Sequence, residues 1–190
     1  SGGGHDMAPH FLTDDRIVFS SSRQSAIQEK QLNEGRGQRY SAVSELNPNA
    51  QAVALHIYDP DSGDISQISL NRTIDLDPST LASGEIIFSR LDTSQQVSLY
   101  TINPSGAQLS SLYGANSGTL LASEESAEGN NDRIHCLQPR ELPDGRILTL
   151  LRAQNQSTLG GDIAVIDTAG FIELFTTTQN YQGTEQRAQI

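Results

Sequence analysis

Several residue types are scarce in this 190-residue chain, and each scarcity excludes a class of protein. Cys136 is the only cysteine, so an intrachain disulfide, a CxxC metal knuckle and a CxxCH haem attachment cannot occur. Lys30 is the only lysine, and 12 basic against 23 acidic residues give a formal charge of −11, which would repel nucleic acid and anionic lipid. No apolar run approaches the roughly 18 residues of a membrane span. The sequence therefore predicts neither nucleic-acid binding nor a membrane span.

The chain does contain one sequence motif three times, here called the repeated phrase. The copies open at Pro9, Pro78 and Pro139 and read PHFLTDDRIVF, PSTLASGEIIF and PRELPDGRILT. A second phrase follows each copy in the same order: LHIYDPDSGDISQIS, LYTINPSGAQLSSLY and IAVIDTAGFIELFT. Repetition of this kind indicates a repeat architecture, in which each copy is one structural unit.

Each unit is predicted to form four short antiparallel strands. The apolar stretches are brief, rich in β-branched residues and bounded by Gly, Pro and Asp turn formers. The fold class is therefore all-β, with about three four-stranded antiparallel blades of a β-propeller. We assign repeat one to residues 5–70, repeat two to 74–113, repeat three to 135–176 and a polar tail or linker to 177–190. Because a closed propeller has about four to eight blades, three predict a segment of a larger propeller or self-association.

Two insertions interrupt the repeats, at 21–54 in repeat one and at 114–132 after repeat two. Both fall in connections that leave the second or the fourth strand of a blade, whereas the turns after the first and third strands are tight. Antiparallel strands place these two kinds of connection on opposite faces of a propeller. We therefore expect one insertion-bearing face, where long loops on a rigid scaffold would bind a protein or small ligand. The alternative is that the insertions only pack over neighbouring blades.

The repeats resemble those of TolB-like β-propellers, which are WD40-like. The matching segments are DMAPHFLTDDRIVFSS, DLDPSTLASGEIIFSR and LQPRELPDGRILTLL, and together they cover nearly the whole chain. LYTINPSGAQLSSLYGANS is similar to the version in exported bacterial proteins related to the middle region of the hydrazine synthase alpha subunit. The resemblance implies a periplasmic or otherwise extracytoplasmic location. It implies little about activity, because one such fold hosts many functions.

Most residues of the repeated phrase are interpreted as structural. Asp6 and Asp75 stand three residues before the repeated proline, where an aspartate can accept backbone hydrogen bonds in an Asx-type turn, but repeat three has Cys136 there. A carboxylate is thus not required in every blade. The predicted structural positions of the repeat are Pro9, Leu12, Pro78, Leu81, Gly84, Pro139, Leu142 and Gly145.

A second set of residues is the candidate ligand or metal site. These side chains flank the start of the innermost strand in each repeat, and they supply nitrogen, oxygen and sulfur donors that suit a transition metal such as zinc. If the strand starts converge at the central channel, a divalent metal could bind there; alternatively, each side chain caps its own strand. The set comprises His5, Asp6, His10, Asp75, Asp77, His135 and Cys136.

No catalytic residue is predicted. The chain has no GxSxG elbow and no phosphate-binding loop, so an enzyme is the less favoured interpretation. The leading hypothesis is a non-catalytic scaffold or binding module of an exported bacterial protein that needs no cofactor in this segment. The alternative is a propeller module of a metal- or haem-dependent redox enzyme. In either case the remaining blades of a parent chain, or a second copy, are expected as partners.

Overall fold

The computed structural model describes residues 5–23, 52–70, 73–93, 95–115, 134–153, 161–168 and 186–187. Within these ranges the regular secondary structure is entirely β-strand, and no helix there is long and apolar enough to cross a membrane. The strands are β1 (Asp6–Phe11), β2 (Ile17–Ser21), β3 (Ala54–Tyr58), β4 (Ile65–Gln67), β5 (Ile74–Thr80), β6 (Ile86–Leu91), β7 (Val97–Ile102), β8 (Ser110–Tyr113), β9 (Ile134–Glu141), β10 (Ile147–Ala153), β11 (Asp162–Ile166) and β12 (Gln186–Arg187).

The strands form three four-stranded sheets, and every neighbouring pair is antiparallel. Blade one contains β1–β4, blade two β5–β8 and blade three β9–β12. Strand β5 contacts both β1 and β9, so the first strand of each blade lies innermost. The predicted fold class is confirmed: the chain forms part of an antiparallel β-propeller.

Some boundaries differ from those expected. Ser21 ends β2 and Ala54 begins β3, so the predicted insertion 21–54 overlaps a strand at each end. The returning strand predicted within 171–176 lies outside the described residues, as does most of both insertions. Gln186–Arg187, in the predicted polar tail, instead pairs with β11 as β12. A strand of two residues is too short to be recognised from alternating apolar and polar residues in the sequence.

The repeated proline marks a β-bulge in the innermost strand of every blade. The strand register shifts at this point in β1, β5 and β9. The residue before each proline has a positive φ: 51° at Ala8, 52° at Asp77 and 51° at Gln138. Proline has no N–H to give to a sheet ladder, so it fits only where the ladder is interrupted. The proline of the repeated phrase therefore encodes a bend in each inner strand.

The tight turn after each inner strand, here called the first turn of a blade, is also repeated. In blade one the Leu12 N–H donates to the Arg16 carbonyl at 2.8 Å, and Asp15 adopts a φ of 65°. The equivalent residues Gly84 and Gly145 have φ values of 85° and 83°. A left-handed conformation favours glycine and is tolerated by aspartate, which explains why the phrase has Asp or Gly here.

Two hydrophobic cores hold the blades together, and blade two contributes to both. Alternate residues of a strand point to opposite faces of its sheet, so blade two can bury one face against each neighbour. The core between blades one and two contains Leu12, Val18, Leu55, Ile57, Ile86, Phe88 and Ile102. The core between blades two and three contains Ile87, Leu99, Tyr113, Ile134, Cys136, Ile147, Leu151, Ala164 and Ile166. Each large apolar side chain buried in this way contributes about 1.5–3 kcal/mol.

Candidate functional site

Asp75 lies at the centre of a buried ionic network between blades one and two. Its carboxylate is fully buried and accepts hydrogen bonds from Arg90 Nε and Nη2 at 2.8 and 2.9 Å. The Ser69 hydroxyl donates to it at 2.6 Å and accepts from the Leu55 N–H at 2.8 Å. The guanidinium also lies over the Phe88 ring, 5.2 Å from its centroid. These partners assign Asp75 to holding the two blades together.

Asp6 occupies the same position in blade one and also binds an arginine. Its carboxylate accepts from Arg23 Nε at 2.9 Å, from Arg23 Nη2 and from the Ser21 hydroxyl at 2.6 Å. The hydrogen bond from Arg23 holds the pKa of Asp6 below its usual value. Side chains thus donate to Asp6, and the expectation of an Asx-type turn built on backbone N–H groups is wrong for this residue.

In blade three the same position is apolar. Cys136 is 1% exposed and pairs across the sheet with Leu151, a residue of the same core. The preceding residue, His135, accepts a hydrogen bond at Nδ1 from the Val97 N–H of blade two at 3.1 Å. An Nδ1 that accepts a hydrogen bond has its lone pair directed at the donor. His135 therefore helps to join blades two and three.

The remaining predicted ligands are His5, His10 and Asp77. His5 donates its backbone N–H to the Ser22 hydroxyl at 2.9 Å, and its side chain is exposed. His10 lies at the other end of β1, where its ring nitrogens are 3.5 Å from the hydroxyls of Ser79 and Thr80. Burial raises the pKa of Asp77, while a hydrogen bond from the Gln138 backbone acts in the opposite sense.

Across the described residues, no three His, Cys, Asp or Glu side chains are close enough together to hold one metal ion. The inner strands separate His10 from His5 and His135, because five residues of extended strand span about 17 Å. Asp6 and Asp75 are each matched to an arginine within their own blade. The metal hypothesis consequently has no geometric support from these residues and stays a prediction.

His56, which the sequence did not single out, gives the chain a predicted pH dependence. Its ring is 3% exposed, stacks on Phe19 and has its two nitrogens within 3.1 Å of the Ala54 and Arg23 carbonyl oxygens. Burial has the largest effect and lowers the pKa of this imidazole. The hydrogen bonds to the Ala54 and Arg23 carbonyls and the charge of Asp6 act in the opposite direction, and the Arg23 charge acts in the same direction as burial.

Because the folded state binds this proton less readily than the unfolded chain, stability is expected to fall as pH drops below about 6.5, the unfolded value. A His56→Gln variant should show a flatter dependence of its unfolding temperature between pH 7 and pH 5. His5→Gln, at an exposed position, is the control and should keep the wild-type slope. An unchanged slope in His56→Gln would contradict this assignment.

A concavity lies at the opposite end of the inner strands from His5 and His135. It is a groove of about 570 Å³ formed by the first turns of all three blades. We call it the first-turn groove; its lining residues are Phe11, Leu12, Thr13, Thr80, Leu81, Ala82, Glu141, Leu142, Pro143 and Gly145. The three repeated leucines, interpreted from sequence as structural, therefore also line a cleft.

Polar contacts between adjacent blades fix the shape of this groove. The Thr80 hydroxyl donates to the Phe11 carbonyl at 2.8 Å, linking blade two to blade one. The Ala82 N–H donates to the Glu141 carboxylate, linking blade three to blade two. Phe11, Thr80 and Glu141 hold the same repeat position, two residues after the proline. Aligning the repeats identifies this position, but only the packing of the blades shows that the residue there contacts an adjacent blade.

Comparisons with known proteins agree with this architecture at the level of fold. No protein-family model matches the chain, and no curated protein matches it in sequence. Among solved structures it is similar to TolB from Acinetobacter baumannii, with a TM-score of 0.54 and 14% identity over 87% of this chain and 30% of that one. It is also similar to Kuenenia stuttgartiensis hydrazine synthase, with a TM-score of 0.52 and 18% identity over 81% of this chain and 20% of that one.

The chain thus spans less than a third of either protein's length. At these identities the likeness concerns the fold, because propellers with unrelated activities share the same blade geometry. The resemblance expected from the repeated phrase is confirmed at that level. The three blades, the bulged inner strands and the two structural matches together show that this chain has the TolB-like β-propeller fold.

Proposed function

We propose that this chain is a non-catalytic propeller scaffold that binds a protein or small ligand. The first-turn groove is the observation that carries the proposal, because concave and mainly apolar clefts with few polar groups are the usual form of a binding site. The ionisable residues of the inner strands also support it, since Asp6 and Asp75 each neutralise an arginine within their own blade. An extracytoplasmic location rests on the family resemblance alone.

The groove favours an occupant with an apolar side chain flanked by main-chain polar groups. Three leucines line it, and Thr80 and Glu141, which carry a hydroxyl and a carboxylate, are also among its lining residues. A peptide segment meets both requirements. The insertion-bearing face, expected from sequence to bind the partner, lies on the opposite side of the blades. The two surfaces can therefore be tested independently.

The test is to select peptides from a random displayed library on the immobilised 190-residue chain. Selected peptides are then measured against Leu142→Arg, which places a charge in the groove, and against two chains shortened within 24–50 or within 116–132. We expect Leu142→Arg to weaken binding at least tenfold and both shortened chains to bind normally. The reverse pattern would place the binding surface on the insertion-bearing face, and the absence of any selectable peptide would contradict the binding function.

Glu85→Gln is the matched control for this experiment. Glu85 lies in the first turn of blade two but does not line the groove. Its substitution changes the charge of that turn without replacing a residue that lines the groove. Equal loss of binding in Glu85→Gln and Leu142→Arg would indicate a general electrostatic effect instead of occupation of the groove.

A further inference from the structure

Blade one carries an exposed apolar row on the face that points away from blade two. Phe11 pairs with Ile17, Ile17 with Tyr58, and Tyr58 with Ile65, so the four side chains cross the sheet in line. Val18, the neighbour of Ile17, belongs to the core between blades one and two, which fixes the direction of the row. Phe11 is 67% and Ile65 42% exposed.

The same row is buried in the other two blades. In blade two Ile86 pairs with Ile102, and these side chains are 0% and 2% exposed. In blade three Ile147 pairs with Ile166, and these are 2% and 7% exposed. In both cases the row is covered by the face of the preceding blade that points toward it. The row of blade one is therefore built like an interface between blades.

Blade three presents the complementary face. Leu148 pairs with Val165 and Leu150 with Ile163, and all four side chains are only half-buried. Their neighbours along the strands, such as Ile147 and Ile166, point the other way into the core with blade two. This is the face that covers the apolar row of the next blade wherever two blades meet within the chain.

The first turns of blade one and blade three are also complementary. In blade three the Glu141 carboxylate accepts from the Ala82 N–H of the preceding blade, whereas blade one has Phe11 at the position of Glu141. The counterpart of Ala82 in blade three is Pro143, which is exposed and has no N–H to donate. A carboxylate would find no donor there, but an aromatic ring can pack on the proline. Phe11 and Pro143 thus suit one another across an interface.

We propose that a second copy of this chain docks head-to-tail, with blade three of one copy covering the apolar row of blade one of the other. For the 190-residue chain with its three described blades, two copies joined twice in this way give a ring of six blades, within the range of about four to eight that closed propellers adopt. A ring of three copies would exceed that range. The dimer follows from the repeat itself, because each contact between copies has the same form as the contacts between consecutive blades.

The test measures the mass of the 190-residue chain in solution by light scattering over a range of concentrations. The wild type is expected at twice the monomer mass of 20.5 kDa. Phe11→Arg and Val165→Arg each damage one of the two faces, and each is expected to weaken association at least tenfold. Leu70→Arg is the matched control, since Leu70 is 58% exposed but lies outside both faces, and it should remain dimeric.

Mixing the two variants distinguishes head-to-tail docking from other modes. In a mixed dimer the undamaged blade three of Phe11→Arg meets the undamaged blade one of Val165→Arg, so an equimolar mixture should form dimers at a concentration where neither variant does alone. A monomeric wild type, no recovery on mixing, or a dimer broken by only one of the two substitutions would overturn the proposal. If Val165→Arg lowers the unfolding temperature, Leu150→Gln replaces it.

Discussion

Replacing Asp75 with alanine is expected to lower the free energy of unfolding by about 3–5 kcal/mol, because the Arg90 guanidinium would stay buried without its counter-charge. The Ser69 hydroxyl would lose its acceptor at the same time, loosening the contact between blades one and two. The Phe88 and Tyr100 rings, 5.2 and 5.3 Å from the guanidinium, remain in place and favour the lower end of this range. Urea unfolding of the purified variant measures the effect.

Asp6→Ala provides a control at the same repeat position. The Asp6–Arg23 pair is partly exposed, with 38% and 31% of the two side chains accessible to solvent. Water screens the charge that such a substitution leaves behind, so the expected loss is only about 0–1 kcal/mol. Comparable losses in Asp6→Ala and Asp75→Ala would show that burial of the guanidinium is not the cause.

The sequence of blade three suggests a double variant that should restore stability lost in Asp75→Ala. There the equivalent cross-strand pair is Cys136 with Leu151, which carries no charge. Asp75→Cys combined with Arg90→Leu should therefore recover more than half of the stability lost in Asp75→Ala, because no ion is left buried without a partner. A double variant as unstable as Asp75→Ala would contradict this account.

Gly106→Ala is expected to destabilise the chain by about 2–5 kcal/mol, for two reasons that add. Gly106 has a φ of 82°, a left-handed conformation that costs a side chain about 1–2 kcal/mol. An added Cβ would also lie 2.7 Å from the Ile68 carbonyl oxygen of blade one, and relieving such overpacking costs about 1–3 kcal/mol. The measurement is again the free energy of unfolding in urea.

Gly63→Ala separates the two contributions. Gly63 holds the equivalent turn position in blade one with a φ of 76°, but a Cβ added there would meet no atom within 4 Å. Only the backbone strain of about 1–2 kcal/mol is expected at this position. Equal effects at Gly63 and Gly106 would show that the close approach between blade two and blade one does not limit the size of this residue.

The arrangement of strands within a blade could be predicted from sequence because it depends on local patterns. β-Branched runs, turn residues and a threefold repeat specify strands, tight turns and the equivalence of the units, and each signal is contained within about ten residues. The partners of Asp6 and Asp75 could not be predicted in the same way. Arg23 and Arg90 occupy different repeat positions, so aligning the copies does not reveal that they bind the equivalent carboxylates of Asp6 and Asp75.

The candidate site illustrates the same limit. Strand order correctly places His5 and His135 at the starts of inner strands, yet it does not say what each ring contacts or how far apart the blades hold them. The first-turn groove could not be predicted because Leu12, Leu81 and Leu142 are interpreted from sequence only as structural positions of the repeat. Leu12 belongs to the core between blades one and two and also lines the groove, and only the positions of the neighbouring blades reveal the second role.

Local sequence was enough to specify the repeat, the four-stranded unit and the bend at each proline, since covalent geometry and side-chain periodicity act over a few residues. The packing of one sheet against the next set the remaining properties: which polar residues are matched internally, which end of the blades forms a groove, and which apolar rows stay exposed. Burial and charge pairing arise from contacts between residues far apart in the chain, and no local pattern records them.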